Sequence, residues 1–430
     1  MHQPRFLVPA FALALLGSAS SSTLIAADEA MNFSDAIKSG SYGGMLRYRI
    51  DSYDEDNLDS QKPALASTLR TSLYYGSKPL YGLSGYVELY HVASIGEERY
   101  FNGSGVGGAG FTERDFVIDP TGMGVNEAYA RYKPTTSIPL TITVGRQLFT
   151  INDETMVTAS RYRQNNDRND AASFSIEPFP HLVIEGAQIW HNIDVTDTVV
   201  PMSTQVGNVS YTVPDMGRLA AYGVVLNYKG DENLAAVPFS SSGVDRTTIG
   251  VRLEGPYKID DKVSVIYEAD YAKQNDSGDT TATIDASMLT LRAGAAVSQW
   301  YGSIGYRKST GAKNPGDLAF QSSDLGYPWP WRGNSEQLVF NPSSGLKTLM
   351  VWVGGAVPGV DGLSFDVFYF DFKSSETDTK FGHEISGGLN YNITKSWSIY
   401  GLATKATQGD DGNGSFNSAN RLTGMTTFTF

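Results

Sequence analysis

What most limits the possible folds of this chain is a strict alternation of apolar and polar side chains, restarted again and again along its length. Leu46, Tyr48 and Ile50 alternate with Arg47, Arg49 and Asp51, and Leu65, Leu69, Leu73 and Tyr75 alternate with Ala66, Thr68, Arg70 and Tyr74. Near the end, Leu422, Gly424, Thr426, Phe428 and Phe430 alternate with Arg421, Thr423, Met425, Thr427 and Thr429. Successive side chains on a strand point to opposite faces, so each stretch reads as a strand with one oily and one wet side. Beyond the first residues nothing approaches the roughly eighteen apolar residues of a spanning helix, so a membrane protein made from this sequence has to be a closed barrel.

Taken in order, the pattern gives strands at the two stretches above, at Ser84–Ala93, Val125–Lys133, Leu140–Leu148, Ala171–Glu177, Leu182–Ile193, Ser203–Val213, Arg218–Lys229, Val244–Glu254, Val263–Lys273, Ile284–Ala296, Trp300–Lys308, Leu346–Gly355, Leu363–Phe372, His383–Asn392 and Ser396–Lys405, and a closing strand Asn420–Phe430. Connections alternate short and long, as in barrels whose short turns face the periplasm. The reading is all-β: a transmembrane antiparallel up-and-down β-barrel of about 18 strands, with 16 if two assignments fail. It occupies residues 41–430 as one domain, preceded by a short periplasmic segment at 28–40 with a helix capped by Ser34 and ended by Gly40.

Residues 1–27 read as a secretory signal peptide: Arg5, an apolar run Phe6–Leu16, small residues Gly17–Ser22, then Ile25-Ala26-Ala27 for cleavage. Cysteine is absent, so no disulfide holds the exported chain, and a closed ladder of strands is one way to do without. A net charge of -13 argues against nucleic acid. Acidic residues such as Asp51, Asp54, Glu55, Asp56 and Asp59 fit no calcium loop. Gly103-Ser104-Gly105-Val106-Gly107-Gly108 satisfies a dinucleotide pattern without the strand and helix it requires, and reads as loop. His91, His181, His191 and His383 show no metal or nucleophile spacing. No cofactor, metal or catalytic residue is expected; a barrel enzyme would need a Ser-His or Asp-His cluster at its outer rim.

Arginines crowd the first 170 residues: Arg47, Arg49, Arg70, Arg131, Arg146, Arg161, Arg163 and Arg168. A charge facing lipid at the midplane costs about 2–4 kcal/mol, so those on strands are expected to face the lumen. There they would bind carboxylate or phosphate in fork geometry, balanced by Glu88, Glu127, Glu268 and Asp270. The competing reading is a structural ladder of Arg–Glu pairs. The amide-rich loop Phe149–Asn169 either folds into the pore as a constriction or lies outside. Trp329, Trp331 and Arg332, stiffened by Pro328 and Pro330, either stack on sugar or aromatic rings or anchor their loop on the barrel.

Five pieces in order, Ser67-Thr68-Leu69-Arg70-Thr71, Val125-Asn126-Glu127-Ala128-Tyr129, Gly145-Arg146-Gln147, Tyr162-Arg163-Gln164-Asn165 and Asp170-Ala171-Ala172-Ser173, resemble the alginate-export family of outer-membrane porins. Ser72 and Tyr162 depart from the family's usual Arg and Trp. The resemblance implies an eighteen-strand channel in the Gram-negative outer membrane and an anion-attracting role for Arg70, Arg146 and Arg163. The aromatic terminus at Phe430 likewise resembles the closing strand of such barrels, read by their assembly machinery. The expected function is a porin for passive diffusion of small hydrophilic solutes, anionic or carbohydrate-like. The alternative is a polysaccharide export channel. Expected partners are the solutes, the assembly machinery, and outer-membrane lipid with lipopolysaccharide.

Overall fold

A computed structural model describes residues 29–56, 62–96, 98–101, 113–229, 243–278, 282–322, 325–327, 329–338, 340–409 and 416–430. The signal-peptide reading, the glycine pattern at 103–108 and Asp59 lie outside these residues. A six-residue helix, α1 (Phe33–Lys38), precedes the sheet. Its cap is Asn32, whose side chain accepts the Asp35 N–H, while Ser34 lies inside the first turn; Ser39, not Gly40, is its C-cap. Asn32, two residues ahead of Ser34, accepts the Asp35 N–H and so starts the helix earlier than expected.

The strands are β1 (Ser41–Glu55), β2 (Ala64–Gly76), β3 (Leu83–Ser94), β4 (Gly122–Tyr132), β5 (Leu140–Gln147), β6 (Arg168–Phe179), β7 (Leu182–Ile193), β8 (Val199–Val213), β9 (Gly217–Leu226), β10 (Arg246–Glu254, resumed at Tyr257–Lys258), β11 (Val263–Asp276), β12 (Asp285–Val297), β13 (Trp300–Ser309), β14 (Leu346–Ala356), β15 (Leu363–Lys373), β16 (Lys380–Asn392), β17 (Trp397–Gln408) and β18 (Ala419–Thr429). Pro256 has no N–H to donate, and β10 is interrupted there; both pieces pair with β11, so they form one strand of eighteen. Each strand pairs antiparallel with its neighbours in sequence, and β1 pairs with β18 from Met45↔Thr429 to Glu55↔Ala419. The barrel is therefore closed, without a free edge.

Alternation in sequence becomes alternation in space. Arg47, Arg49, Asp51 and Tyr53 are buried, while Leu46 and Ile50, in the opposite phase, are exposed. The same holds around the ring, where Leu73, Leu89, Ile142, Val209, Leu219, Val251, Leu291, Ile304, Val353, Leu389 and Leu422 form an outward apolar belt. A belt of this extent suits hydrocarbon rather than water. No described helix is long and apolar enough to cross a membrane.

Candidate functional site

The loop at residues 148–167, between β5 and β6, turns into the barrel. Ile151, Val157, Ala159, Gln164 and Asn165 in it are almost fully buried. Its docking is written into the wall. Arg47 and Arg70 face each other across β1 and β2, an arrangement of like charges that is unfavourable by itself. Both donate to the loop's main chain: Arg47 Nη1 to the carbonyls of Arg161 (3.1 Å) and Arg163 (2.9 Å), and Arg70 Nη1 to that of Gln164. Arg49 Nη1 donates to the Tyr162 carbonyl (2.8 Å), and Gln164 Nε2 answers by donating to Thr68 Oγ1 (2.9 Å).

Immediately beside this seam three guanidiniums and three carboxylates interlock. Asp51 accepts from Arg49 (2.8 Å) and, in fork geometry, from Arg421 (3.0 and 2.6 Å). Asp119 lies 3.1 Å from Arg49 and 3.9 Å from Arg163. Glu336 joins Arg163 to Arg421, the latter at 2.8 Å. Asp119, Arg163 and Glu336 come from three different loops, so one buried cluster gathers three connections onto β1 and β18. Glu336 holds a left-handed backbone, φ 64°, which a non-glycine residue keeps only where its surroundings impose it. Opposite, Asp153 of the inward loop lies 3.0 Å from Arg252 and 3.1 Å from Arg307 on β10 and β13.

The loop at residues 310–345 enters from the other side. Trp331 is 1 % exposed, seated against Gly305 with Arg307 4.9 Å over its ring. Trp329 meets Trp352 and Phe368 edge-on and donates from Nε1 to Asn334 Oδ1 (2.9 Å). Arg332 is buried and donates to the Leu338 carbonyl. The Glu384 carboxylate on β16 accepts the N–H groups of Asn334 (2.7 Å) and Ser335 (3.0 Å). Both indoles and this guanidinium are thus engaged by the protein itself. The two loops also touch, through Thr158 N–H to Leu325 O (2.6 Å) and Tyr327 N–H to Glu154 O (3.0 Å). Together they fill the barrel from the end bearing the long connections, and the first reaches as far as Arg218 beside a short turn, whose Nη2 donates to Asn152 Oδ1 (2.8 Å).

Toward the short turns, inward side chains are less covered. Glu127, Arg131, Arg161, Arg218, Glu254 and Arg292 are all half-buried there. Arg161 pairs with Glu154 (3.4 Å), Arg218 with Glu254 (3.0 Å), and Arg292 with Glu268 (3.1 Å). Arg131 lies 4.6 Å over Tyr129, which continues a row of rings through Tyr86 to Tyr74 at 5.2 and 5.7 Å. Arg168 meets Asp197 and stacks 5.2 Å from Tyr90.

Arg146 does not join them. It shares its phase on β5 with the exposed Ile142 and Val144, and grips Asp170 at 2.8 and 3.0 Å on the outward face. Its position next to the strand's end lets a paired charge face outward at low cost. Conversely, Arg252, Arg307, Arg421, Asp119, Asp153 and Glu336 belong to the charged interior without having been singled out. For the three arginines the polar phase of their strands was the available signal.

Electrostatics of the inward loop differ from residue to residue. Burial alone would raise the Asp153 carboxyl, but the Arg252 and Arg307 guanidiniums override it and hold it well below the usual carboxylate range. For Asp167 burial prevails: aided by Asp194 nearby and only partly opposed by a hydrogen bond from Ser160 and the Arg168 charge, it pushes the carboxyl up to about 7. Burial and the neighbouring Arg421 and Arg49 push Arg163 down to about 10, still protonated at neutral pH. Among the described residues no group of three His, Cys, Asp or Glu could hold a metal ion.

No family model matches this sequence, and no curated protein matches it. Solved structures do resemble it in fold. Acinetobacter baumannii OccAB3 aligns with a TM-score of 0.69 at 14% identity, over 92% of this chain and 100% of that one. OccAB1 of the same organism gives 0.68 at 11% identity over 94% and 98%. Pseudomonas aeruginosa OpdK, solved with vanillate, gives 0.65 at 12% identity over 92% and 99%. At such identities the likeness is one of fold: over nine-tenths of its length this chain is built like those eighteen-strand barrels.

Proposed function

We propose that the protein is a Gram-negative outer-membrane channel for small hydrophilic anions, carboxylates above all, constricted by the loops at 148–167 and 310–345. The observation that carries this reading is the interlocked cluster inside the barrel. Arg49, Arg163 and Arg421 hold three carboxylates there in fork and bridging geometry, the arrangement by which guanidinium recognises carboxylate. Arg131 and Arg161 in the less covered half extend the same chemistry toward the short turns, with Glu127 as the balancing acid. The fold of the Occ channels supports the reading, and vanillate, present in the OpdK structure, is an aromatic carboxylate.

Selectivity then rests on bore and field, with no covalent step. An alginate-type export channel is the alternative implied by the five sequence pieces. A polymer needs a bore open along its axis, and two loops packed against one another within the barrel favour single small solutes instead. Reversal potentials of the purified protein in planar bilayers under a salt gradient test this directly. Anion preference is expected, reduced when Arg131 and Arg161 are both replaced by Glu. A cation-selective wild-type pore would overturn the proposal.

A further inference from the structure

Arginine and lysine are segregated by the wall. Strand arginines face inward, Arg146 excepted, whereas Lys273, Lys308, Lys347, Lys373 and Lys405 share the phase of their strands' outward residues, and a bulge at Phe381 sets Lys380 opposite the outward Lys373. Four of these lysines form a row. Lys308 is directly paired with Lys347, Lys347 with Lys373, and Lys373 with Lys380, across β13 to β16 at the end bearing the long loops. Like charges directly opposite on neighbouring strands are unfavourable, and here three such pairs follow one another.

Nearby carboxylates offset the row only in part. Asp371 lies 3.4 Å from Lys373 and 3.6 Å from Lys380, and Asp378 holds Lys347. Glu376 accepts the Gly311 N–H and the Ser375 hydroxyl, and its charge also faces Lys308 and Lys347. Farther along, Asp285 holds Lys273 and Lys313. Four ammoniums in the row thus meet three carboxylates, Asp371, Asp378 and Glu376, which leaves one positive charge in excess.

Below the row the outward surface turns oily in steps. The next level carries Tyr306, Leu349, Asp371 and His383, and the one after it Ile304, Val351, Tyr369 and Ile385. Beside these, a groove of about 600 Å³ opens on the same face, walled by Val367, Ile385 and Leu422, floored by Gly387 and Ala403, with Lys405 at its upper end. A Cβ at Gly387 would meet nothing within 4 Å. Asp54 is the acid on that edge. A cationic row above an acyl-sized groove on a lipid-facing wall matches a ligand with phosphate at one end and hydrocarbon at the other.

We infer that this face binds a phosphorylated, acylated glycolipid of the outer leaflet, with its phosphates on Lys308, Lys347, Lys373 and Lys380 and an acyl chain in the groove beside Gly387. The site rests on the outer-membrane reading above. Its test uses the detergent-purified protein and titration with purified rough-type lipopolysaccharide, followed by native mass spectrometry. Dephosphorylated lipopolysaccharide and a zwitterionic phospholipid serve as the other ligands.

The quadruple variant K308Q/K347Q/K373Q/K380Q should weaken binding of the phosphorylated form about tenfold or more and leave the other two unchanged. Asp371→Asn, which removes a competing carboxylate, should strengthen it, a direction that misfolding cannot imitate. Gly387→Phe should weaken every acylated ligand alike. Equal affinity of wild type and quadruple variant, or equal affinity for both forms of the glycolipid, would overturn the inference. Reversal potentials on the same samples report the channel reading independently, because the row lies outside the barrel and away from the lumen.

Discussion

Replacing Asp153 by Ala should release the inward loop without unfolding the barrel. Its carboxylate takes Arg252 at 3.0 Å and Arg307 at 3.1 Å, and accepts the Thr155 N–H at 3.2 Å and hydroxyl at 2.9 Å. Removing one partner of a buried ion pair costs about 3–5 kcal/mol. Here the figure is smaller for two reasons. The Asp153 side chain is 19% exposed, and Arg252 keeps Glu254, Glu268 and Asp270 within 3.2 Å. The orphaned charge is Arg307, which retains Thr290 Oγ1 at 2.7 Å and Thr155 Oγ1 at 3.1 Å. About 2–3 kcal/mol remains, or roughly 30- to 150-fold in the ratio of docked to undocked loop. None of it touches the interstrand ladder, so the loss is local.

Hydrogen exchange reads this directly. The Thr158 amide, bonded to Leu325 O, and the Gln164 amide, bonded to Asp119, should lose protection by that factor, while amides of β10 and β13 keep theirs. Asp153→Asn, which can still accept from Thr155, should fall between. Protection of Thr158 within about threefold of wild type in Asp153→Ala would refute the claim that these two arginines hold the loop down.

Two further outcomes follow from the same geometry. Asp167 titrates at about 7 in the docked loop against 3.8 ordinarily, so docking is strongest at low pH, weakens from about pH 4 and has lost its full contribution above 7. Loop protection should therefore be greater at pH 5 than at pH 8, and Asp167→Asn should abolish the difference; an unchanged pH dependence in that variant would refute the assignment. Asp153 does not interfere, because a depressed carboxyl contributes above its ordinary range and is lost only below about pH 4. Deleting Phe430, whose N–H and carbonyl pair with Gly44 at 3.1 and 3.0 Å, should lower the amount of assembled barrel at the cell surface, scored by surface labelling, with undiminished levels counting against it.

The wall was legible in the sequence because its rule is local. Phase along each stretch says which side chains face out, and β1, β2 and β18 carry Arg47, Arg49, Arg70 and Arg421 on the side that alternation assigns. Arg146 shows the rule outranking chemical intuition: it follows Ile142 and Val144 in phase, and a lumenal role assigned by residue type goes against its strand. The inward loops were another matter. Loop 149–169 could be read as inside or outside, since nothing in Gln164 or Asn165 announces that Thr68 or Asp119 will meet it. Glu336 and Arg163 lie far apart in the chain and become neighbours only once β1 and β18 close beside them. Contacts of that kind have no short-range signal.

The seam between β1 and β18 joins the start of the sheet to its final residue. A growing chain can zip hairpin after hairpin, yet no part of it released before Phe430 has both lips of the cylinder. Until then it carries a long unpaired strand edge and an oily flank, both prone to wrong partners in water. For as long as the last strand is missing, the unfinished cylinder cannot cover that edge by itself.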